Sequence, residues 1–235
     1  MLSIVIITKN EERYLPRLFT CIKNQSYQDF EVIVADANST DSTVKIAKEF
    51  GCKIVKGGLP SVGRNNGAKA AKNDLILFLD ADVVIRKDFL EKNVKEILKK
   101  KLGIAGVYSR SIQKRSVSSI FISIVNFVHL ISERVCPVIM GYCIFVRKNV
   151  FNKIEGFNEK IIFNEDVDFV RRASKISKFR MLNSVPVGVS MRRYEVVGYL
   201  KMGILYIFYQ LRIALWGHFK KEFGYFKINY KGIKK

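Results

Sequence analysis

Residues 75–84 read LILFLDADVV, an apolar run followed by two carboxylates two positions apart, Asp80 and Asp82. The apolar run is typical of a strand that is covered on both faces of a sheet. Two carboxylates held this close resist ionising together unless a cation lies between them. The sequence therefore predicts a buried strand that ends at a cation-binding site.

Three more apolar runs of strand length precede this one, at residues 2–8, 30–36 and 52–57. Helical patterns of apolar residues separate the four runs, at residues 11–25, 39–51 and 63–73. This alternation predicts an α/β fold with a Rossmann-like, open, mixed and mainly parallel sheet that is flanked by helices. Because ligands bind beyond the carboxyl ends of such strands, we expect Thr8, Asp36 and the Asp80/Asp82 pair to meet in one cleft.

The second half of the sequence has a less regular pattern. Residues 87–101 are typical of a surface helix, and residues 141–151 of a strand that leads into a short helix. Residues 165–177 form another helical pattern with two acids in its first turn. Residues 179–190 predict two short strands.

The composition favours an anionic partner. Lys and Arg number 41 against 21 Asp and Glu, which gives a net charge of +20. This charge suits nucleic acid, a phosphorylated small molecule or an anionic membrane surface. The four cysteines have no CxxC spacing, so we expect a reducing compartment without a zinc site. The first twelve residues are typical of a strand and not of a signal peptide, and we therefore expect a cytoplasmic protein.

Two apolar segments indicate contact with a membrane. Residues 116–132 carry no formal charge and have the pattern of an amphipathic helix. Residues 198–216 contain an uncharged run that is too short to span a bilayer, and a basic, aromatic tail follows it. We expect residues 194–235 to form an apolar and basic helical extension in the membrane interface. A dimer contact or packing against the sheet remains the alternative for both segments.

Four motifs in order give the sequence a specific resemblance. They are SIVIITKNEE (3–12), FEVIVADANSTDST (30–43), GRNNGAKAAKNDLILFLDADV (63–83) and FNEDVDFVRRA (163–173). Together they resemble the family-2 glycosyltransferases of the GT-A fold over about residues 2–193. The resemblance implies a domain at 1–193, with a nucleotide-sugar-binding half at 1–108 and an acceptor and catalytic half at 109–193.

The resemblance implies roles for residues at the ends of the first strands. The segment that would hold the base and ribose contains Thr8, Asn10 and Glu11. Asp36 would accept a hydrogen bond from the base, as a carboxylate is able to do from an imide N–H. Arg64 matches a basic residue near the nucleotide, and its planar fork suits a phosphate or a base edge. A structural ion pair with Asp36 or Asp80 is the alternative role for Arg64.

The same resemblance implies a metal motif at Asp80 and Asp82. Asp82 would bind Mg²⁺ or Mn²⁺ directly, and Asp80 would lie nearer the ribose and the metal-bound waters. Many metal-dependent relatives carry a histidine after the last strand, where this sequence has Ser190. Water and phosphates would then complete the coordination, or Arg192 or Arg193 would stabilise the diphosphate instead.

The acidic pair of FNEDVDF matches the catalytic carboxylate of the family, and the resemblance gives this role to Asp166. An acceptor hydroxyl needs a base that takes its proton in the transition state. Asp168 lies about 200° from Asp166 around a helix, so both cannot face the cleft equally. Compensation of the helix dipole is the alternative role for Glu165, Asp166 and Asp168.

The combined interpretation is an inverting, hexosyltransferase-type enzyme that moves one sugar from a nucleoside diphosphate sugar by single displacement. A UDP-sugar is the favoured donor and GDP-mannose the second candidate. The acceptor is a hydroxyl or phosphate, expected to be lipid-linked, which would make the enzyme peripheral on the inner face of the cell membrane. A basic nucleic-acid-binding protein and a nucleotidyltransferase are the alternatives. The acidic, glycine-free segment TKNEERYLP after the first strand disfavours the latter.

Overall fold

The computed structural model describes residues 1–113, 115–204 and 208 of the chain. The strands are β1 (Leu2–Thr8), β2 (Phe30–Asp36), β3 (Lys53–Lys56), β4 (Leu75–Asp80), β5 (Ile104–Ser111), β6 (Cys143–Arg147) and β7 (Phe179–Val189). The helices are α1 (Leu15–Lys23), α2 (Thr43–Glu49), α3 (Pro60–Ala70), α4 (Phe89–Lys100), α5 (Ser116–Ser132), α6 (Lys148–Lys153), α7 (Glu165–Ile176) and α8 (Arg192–Val197).

The strands of the described region form one mixed sheet in the order β3-β2-β1-β4-β6-β5-β7. β6 runs antiparallel to its neighbours β4 and β5, and the other pairs are parallel. Side chains alternate across each strand, so β4 sends Leu77 into one core and Phe78 into the other. Helices α1 and α4 cover the first core, while α3, α6 and α7 cover the second. The predicted fold class is confirmed.

The register of the central strands brings the predicted site residues to one edge. Thr8 lies opposite Asp36 in the β1–β2 pair, and Ile7 lies opposite Asp80 in the β1–β4 pair. Because β1, β2 and β4 are parallel neighbours, their carboxyl ends meet at the same edge of the sheet.

The prediction of two short strands at 179–190 is wrong, because this stretch is one strand, β7. Its pairing with β5 shifts register between Val107, opposite Leu182, and Ser109, opposite Val187. The extra residues of β7 form a bulge that contains Pro186, which has no backbone N–H to donate to a ladder. The interruption in the sequence pattern is therefore a bulge and not the end of a strand.

The predicted boundary between the two halves of the domain and the predicted start of the C-terminal extension both fall within a strand or a helix. Strand β5, which the sequence reading did not identify, crosses the boundary at 108/109, so both predicted halves share one sheet. The expected C-terminal extension starts inside α8, and residues 199–204 are helical. Residues 205–207 and 209–235 of that extension lie outside the described residues. Among the residues described, no helix is both long and apolar enough to cross a membrane.

Candidate active site

The carboxyl ends of β1 and β2 are joined through Asp36. Thr8 Oγ1 donates a hydrogen bond to Asp36 Oδ1 at 2.9 Å, and the Ser39 backbone N–H donates to Asp36 Oδ2 at 2.8 Å. Asp36 is only 7% exposed, whereas Thr8, Ala35 and Ala37 line the cleft beside it. The carboxylate of Asp36 therefore holds the ends of β1 and β2 together by hydrogen bonds but does not itself line the cleft. Its predicted contact with a base stays a prediction.

Asn10 also shapes a loop and does not line the cleft. It has a left-handed backbone conformation with φ of 54°, which asparagine tolerates better than most residues. Its side-chain carbonyl accepts a hydrogen bond from the Thr40 N–H at 2.8 Å, and its own N–H donates to Ser39 Oγ at 2.9 Å. Asn10 thus ties the segment after β1 to the segment after β2.

Arg192 connects the first residue of α8 to two acids of the cleft. Its Nη2 lies 3.2 Å from Asp82 Oδ2 and 3.3 Å from Glu11 Oε1. Its guanidinium also lies 4.1 Å from the centre of the Tyr14 ring, a cation–π contact. Burial acts to lower the pKa of Arg192, but Asp82 and Glu11 outweigh it and hold that pKa above its usual value. Three predicted residues therefore meet at one point, whereas the side chain of Arg193 lies outside the described residues.

Arg64 is the most heavily engaged cation of the cleft and is only 4% exposed. Its Nη1 donates to Glu165 Oε1 at 2.8 Å, and its Nη2 donates to the Gly141 carbonyl at 3.1 Å. The same Nη2 lies 3.4 Å from Asp80 Oδ1. The sequence left open an ion pair of Arg64 with Asp36 or with Asp80, and the structure contains the pair with Asp80. Arg64 also lines the cleft, and its contact with a nucleotide stays a prediction.

Asp166 lies in the first turn of α7 and lines the same cleft as Asp80 and Asp82. Burial raises the pKa of Asp166 to about 7, and the charge of Glu165 adds to this effect while Arg64 opposes it. A carboxyl group with this pKa is able to exchange a proton near neutral pH. The expectation that Asp166 shares a cleft with the end of β4 is met.

Asp168 does not line the cleft, which agrees with the expectation that Asp166 and Asp168 cannot both face it equally. Its Oδ2 accepts from Arg172 Nε at 2.8 Å, and Arg172 also donates to the carbonyl groups of Ile154 and Gly156. Asp168 therefore connects α7 to the end of α6. It is a structural residue, which leaves Asp166 as the candidate base.

Gly141 is a site residue that the sequence reading missed. A Cβ atom at this position would lie 2.8 Å from Arg64 Nη2 and 2.9 Å from Asp166 Oδ2. Both distances are shorter than such contacts allow, so a side chain at this position would have to displace the Arg64 guanidinium or the Asp166 carboxylate. A single glycine before a strand gives no signal of this role in a sequence.

The end of β4 offers part of a metal site. Asp80 and Asp82 both line the cleft and supply the hard oxygen ligands that Mg²⁺ and Mn²⁺ prefer. Within the described residues, no group of three or more His, Cys, Asp or Glu side chains is placed to hold a metal ion. Ser190 lines the cleft and adds no carboxylate or imidazole. The donor set therefore fits a hard cation whose remaining ligands come from phosphate and water.

The cleft, of about 780 Å³, continues from these polar groups to an apolar wall. Helix α5 is attached to the C-terminal helices by a cluster of rings, with Phe121 4.7 Å from Tyr194 and 5.6 Å from Tyr199 between ring centres. Ser118 Oγ and Tyr199 Oη form a hydrogen bond of 2.7 Å across the same contact. The apolar part of the wall includes Phe121, Ile124, Val125, Val128 and Met202.

The outer face of α5 is apolar and exposed to solvent. Its large apolar side chains recur at helical spacing and are 57–61% exposed at Val117, Ile120, Ile124, Phe127, Leu130 and Ile131. Leu200, Ile204 and Phe208 continue the apolar exposure on the C-terminal helical segment. Contiguous apolar surface of this kind marks an interaction site more often than a free surface.

Comparison with known proteins gives a family match. The model of the family described as glycosyl transferase family 2 matches residues 3–154. An uncharacterized glycosyltransferase of Rickettsia typhi is 32% identical over 78% of the chain and 58% of its own length. The chondroitin synthase of Pasteurella multocida is 28% identical over 79% of the chain and 20% of its own length. The chain therefore spans only part of these relatives.

Solved structures share the fold at low sequence identity. TarS of Staphylococcus aureus in complex with UDP-GlcNAc has a TM-score of 0.67 at 22% identity, over 80% of this chain and 58% of that one. A mannosyltransferase of Pyrobaculum calidifontis in complex with GDP-Man and Mn²⁺ has a TM-score of 0.68 at 15% identity, over 87% of this chain and 64% of that one. These likenesses support the fold alone.

Proposed function

Because the chain belongs to glycosyl transferase family 2, we propose that it transfers one sugar from a nucleoside diphosphate sugar to an acceptor hydroxyl or phosphate, with inversion. The observation that carries this proposal is the cleft that Asp80, Asp82 and Asp166 line together at the carboxyl edge of the sheet. The family match favours this activity over the nucleotidyltransferase and nucleic-acid-binding alternatives.

Asp166 is the proposed general base. The neighbouring acids are neutralised by arginines, since Asp82 contacts Arg192 and Glu165 contacts Arg64. Within the described residues Asp166 has no such ion pair, and its raised pKa suits proton transfer near neutral pH. Asp166 would take the acceptor proton as the hydroxyl attacks the anomeric carbon, and the nucleoside diphosphate would leave from the opposite side. One base and one displacement give inversion.

Asp82 and Asp80 are the proposed ligands of Mg²⁺ or Mn²⁺. When bound, such a cation neutralises the charge that develops on the departing diphosphate. Arg192 is placed to add a second positive charge at the same end of the cleft, because it contacts Asp82 directly. We propose a UDP-sugar as the donor and GDP-mannose as the second candidate. Among proteins of the same fold, TarS is in complex with UDP-GlcNAc and the Pyrobaculum calidifontis mannosyltransferase with GDP-Man.

The donor proposal is tested by the thermal stabilisation that UDP- and GDP-sugars produce with and without Mn²⁺. We expect at least one donor to stabilise the protein, and Asp82→Asn to remove the part that depends on Mn²⁺. Asp88→Asn is the matched control, because Asp88 pairs with Arg86 and Lys92 outside the cleft. Sugar transfer by Asp166→Asn at the wild-type rate would refute the proposed mechanism.

The proposed acceptor is lipid-linked, and the protein is proposed to be peripheral on an anionic membrane surface. Apolar residues of α5 line the same cleft as Asp166. The lipid part of an acceptor bound at Asp166 would therefore contact an apolar surface. Exposed arginines, Arg115 and Arg134, lie at the two ends of α5. Apolar burial together with attraction to anionic headgroups supports binding in the interface.

Flotation with anionic and neutral vesicles tests the membrane proposal. Phe127→Glu and Ile131→Glu place a charge on the exposed face of α5, and we expect each to reduce recovery with anionic vesicles. Ile176→Glu is the matched control, because Ile176 is 51% exposed at the end of α7. Wild-type protein that stays with the soluble fraction at low salt would refute this part of the proposal.

A further inference from the structure

Helix α3 holds the start of α7 through two consecutive residues. Asn65 Nδ2 donates to the Phe157 carbonyl at 2.9 Å and to Glu159 Oε1 at 2.8 Å. Its side-chain carbonyl accepts from the Phe157 N–H at 2.8 Å. The Phe157 ring stacks on Phe169 of α7 with ring centres 3.9 Å apart. Arg64 therefore acts from a helix that is already fixed against the segment before α7.

Glu165, the first residue of α7, forms an ion pair with Arg64 of α3. The two side chains are 13% and 4% exposed, and their closest atoms are 2.8 Å apart. Arg64 also reaches Asp80 at the end of β4 and the Gly141 carbonyl before β6. One guanidinium thus links the helix that carries the candidate base to the strand that carries the candidate donor site. Removing one partner of such a buried pair leaves an uncompensated charge.

Gly141 limits the movement of Asp166 from the other side. The space for a Cβ at Gly141 is already filled by Asp166 Oδ2 and Arg64 Nη2. Asp166 is therefore confined between the Gly141 backbone, its neighbour Glu165 and the bridging arginine. Within this arrangement Glu165 is the one carboxylate that has no role in the proposed chemistry.

We propose that Glu165 is a positioning residue: by fixing Arg64 between α7, Asp80 and the Gly141 carbonyl, it holds Asp166 at the place where the acceptor is deprotonated. This inference rests on the proposed function. The charged groups that face Asp166 are Glu165 from α7 and Arg64 from α3, and Asp80 from β4 acts through Arg64. The charge of Glu165 raises the pKa of Asp166 and the charge of Arg64 lowers it, so removing the charge of Glu165 is expected to lower the pKa of Asp166.

The test separates position from charge with two variants. Glu165→Gln keeps the size of the side chain and removes its charge, and Glu165→Asp keeps the charge but shortens the reach to Arg64. We expect both to lower kcat by about 10–100-fold, the effect of a small misplacement of a reacting group, with UDP affinity unchanged. The ¹³C carboxyl resonance of Asp166, identified through Asp166→Asn, is expected to titrate at lower pH in Glu165→Gln.

Asp168→Asn is the matched control, because it also removes a carboxylate from the first turn of α7 but breaks only the pair with Arg172. We expect its kcat and the titration of Asp166 to equal those of the wild type. Unchanged kcat in Glu165→Gln, or loss of UDP affinity without loss of kcat, would overturn the inference. Wild-type protein without transfer from any donor would refute the proposed function, whereas a changed Asp166 titration in Glu165→Asp, which keeps the charge and changes only the reach to Arg64, would still support the positioning of Asp166 by Glu165.

Discussion

Replacing Asp166 by asparagine is predicted to remove activity and to stabilise the fold at the same time. The cause is the pKa of Asp166, which burial and Glu165 raise from 3.8 to about 7. Because the folded state holds the proton more tightly than the unfolded state, the wild type loses stability as pH rises from about 4 to about 7. The neutral amide of Asp166→Asn has no charge to desolvate and avoids this loss.

The size of the effect follows from the shift in pKa. A shift of about three units at about 1.4 kcal/mol per unit sets a ceiling of about 4 kcal/mol above pH 7. Well below pH 4 Asp166 is protonated in both states, so the difference falls to about zero there. For a chain of this length, even half of the ceiling would raise Tm by about 4–8 °C.

Urea unfolding of both proteins between about pH 4 and pH 8 provides the measurement, with circular dichroism as the probe. The gain in the free energy of unfolding of Asp166→Asn should grow with pH and level off above pH 7. Transfer activity should fall by about 10²–10⁴-fold, the usual contribution of a general base. A variant that is less stable than wild type at pH 8, or a gain that does not change with pH, would refute the reasoning.

Three further substitutions test other contacts of the site. Gly141→Ala should lower turnover by about 10–100-fold with the fold retained, since its Cβ would displace Asp166; normal turnover would contradict this contact. Arg192→Gln should weaken UDP binding about tenfold in calorimetry, because it removes a positive charge near the diphosphate and leaves Asp82 without its partner. Equal affinity would argue against a donor-binding role of Arg192. Asn65→Ala should cost about 2–4 kcal/mol in urea unfolding, because backbone groups of the segment before α7 lose their hydrogen bonds; a loss near zero would be inconsistent with those bonds.

The local patterns of the sequence predicted the elements that depend on neighbouring residues. The apolar run before Asp80 predicted β4, and the uncharged pattern at residues 116–132 predicted α5 with its observed bounds. The spacing of Asp166 and Asp168 predicted that the two acids cannot both face the cleft equally. The local pattern near Pro186 predicts a break between two strands, whereas the structure has a bulge there, because the partner strand β5 determines the register.

Sequence alone determined that acids follow the first, second and fourth strands of a mainly parallel sheet, and strand direction then required them to meet at one edge. Only the tertiary structure decided how each charge is neutralised: Arg64 pairs with Glu165 and Asp80, and Arg192 pairs with Asp82. The reason is that secondary structure depends on local spacing, whereas an ion pair depends on which distant side chains the folded backbone places within a few ångströms. The proton affinity of Asp166 is a result of that placement and not of its motif.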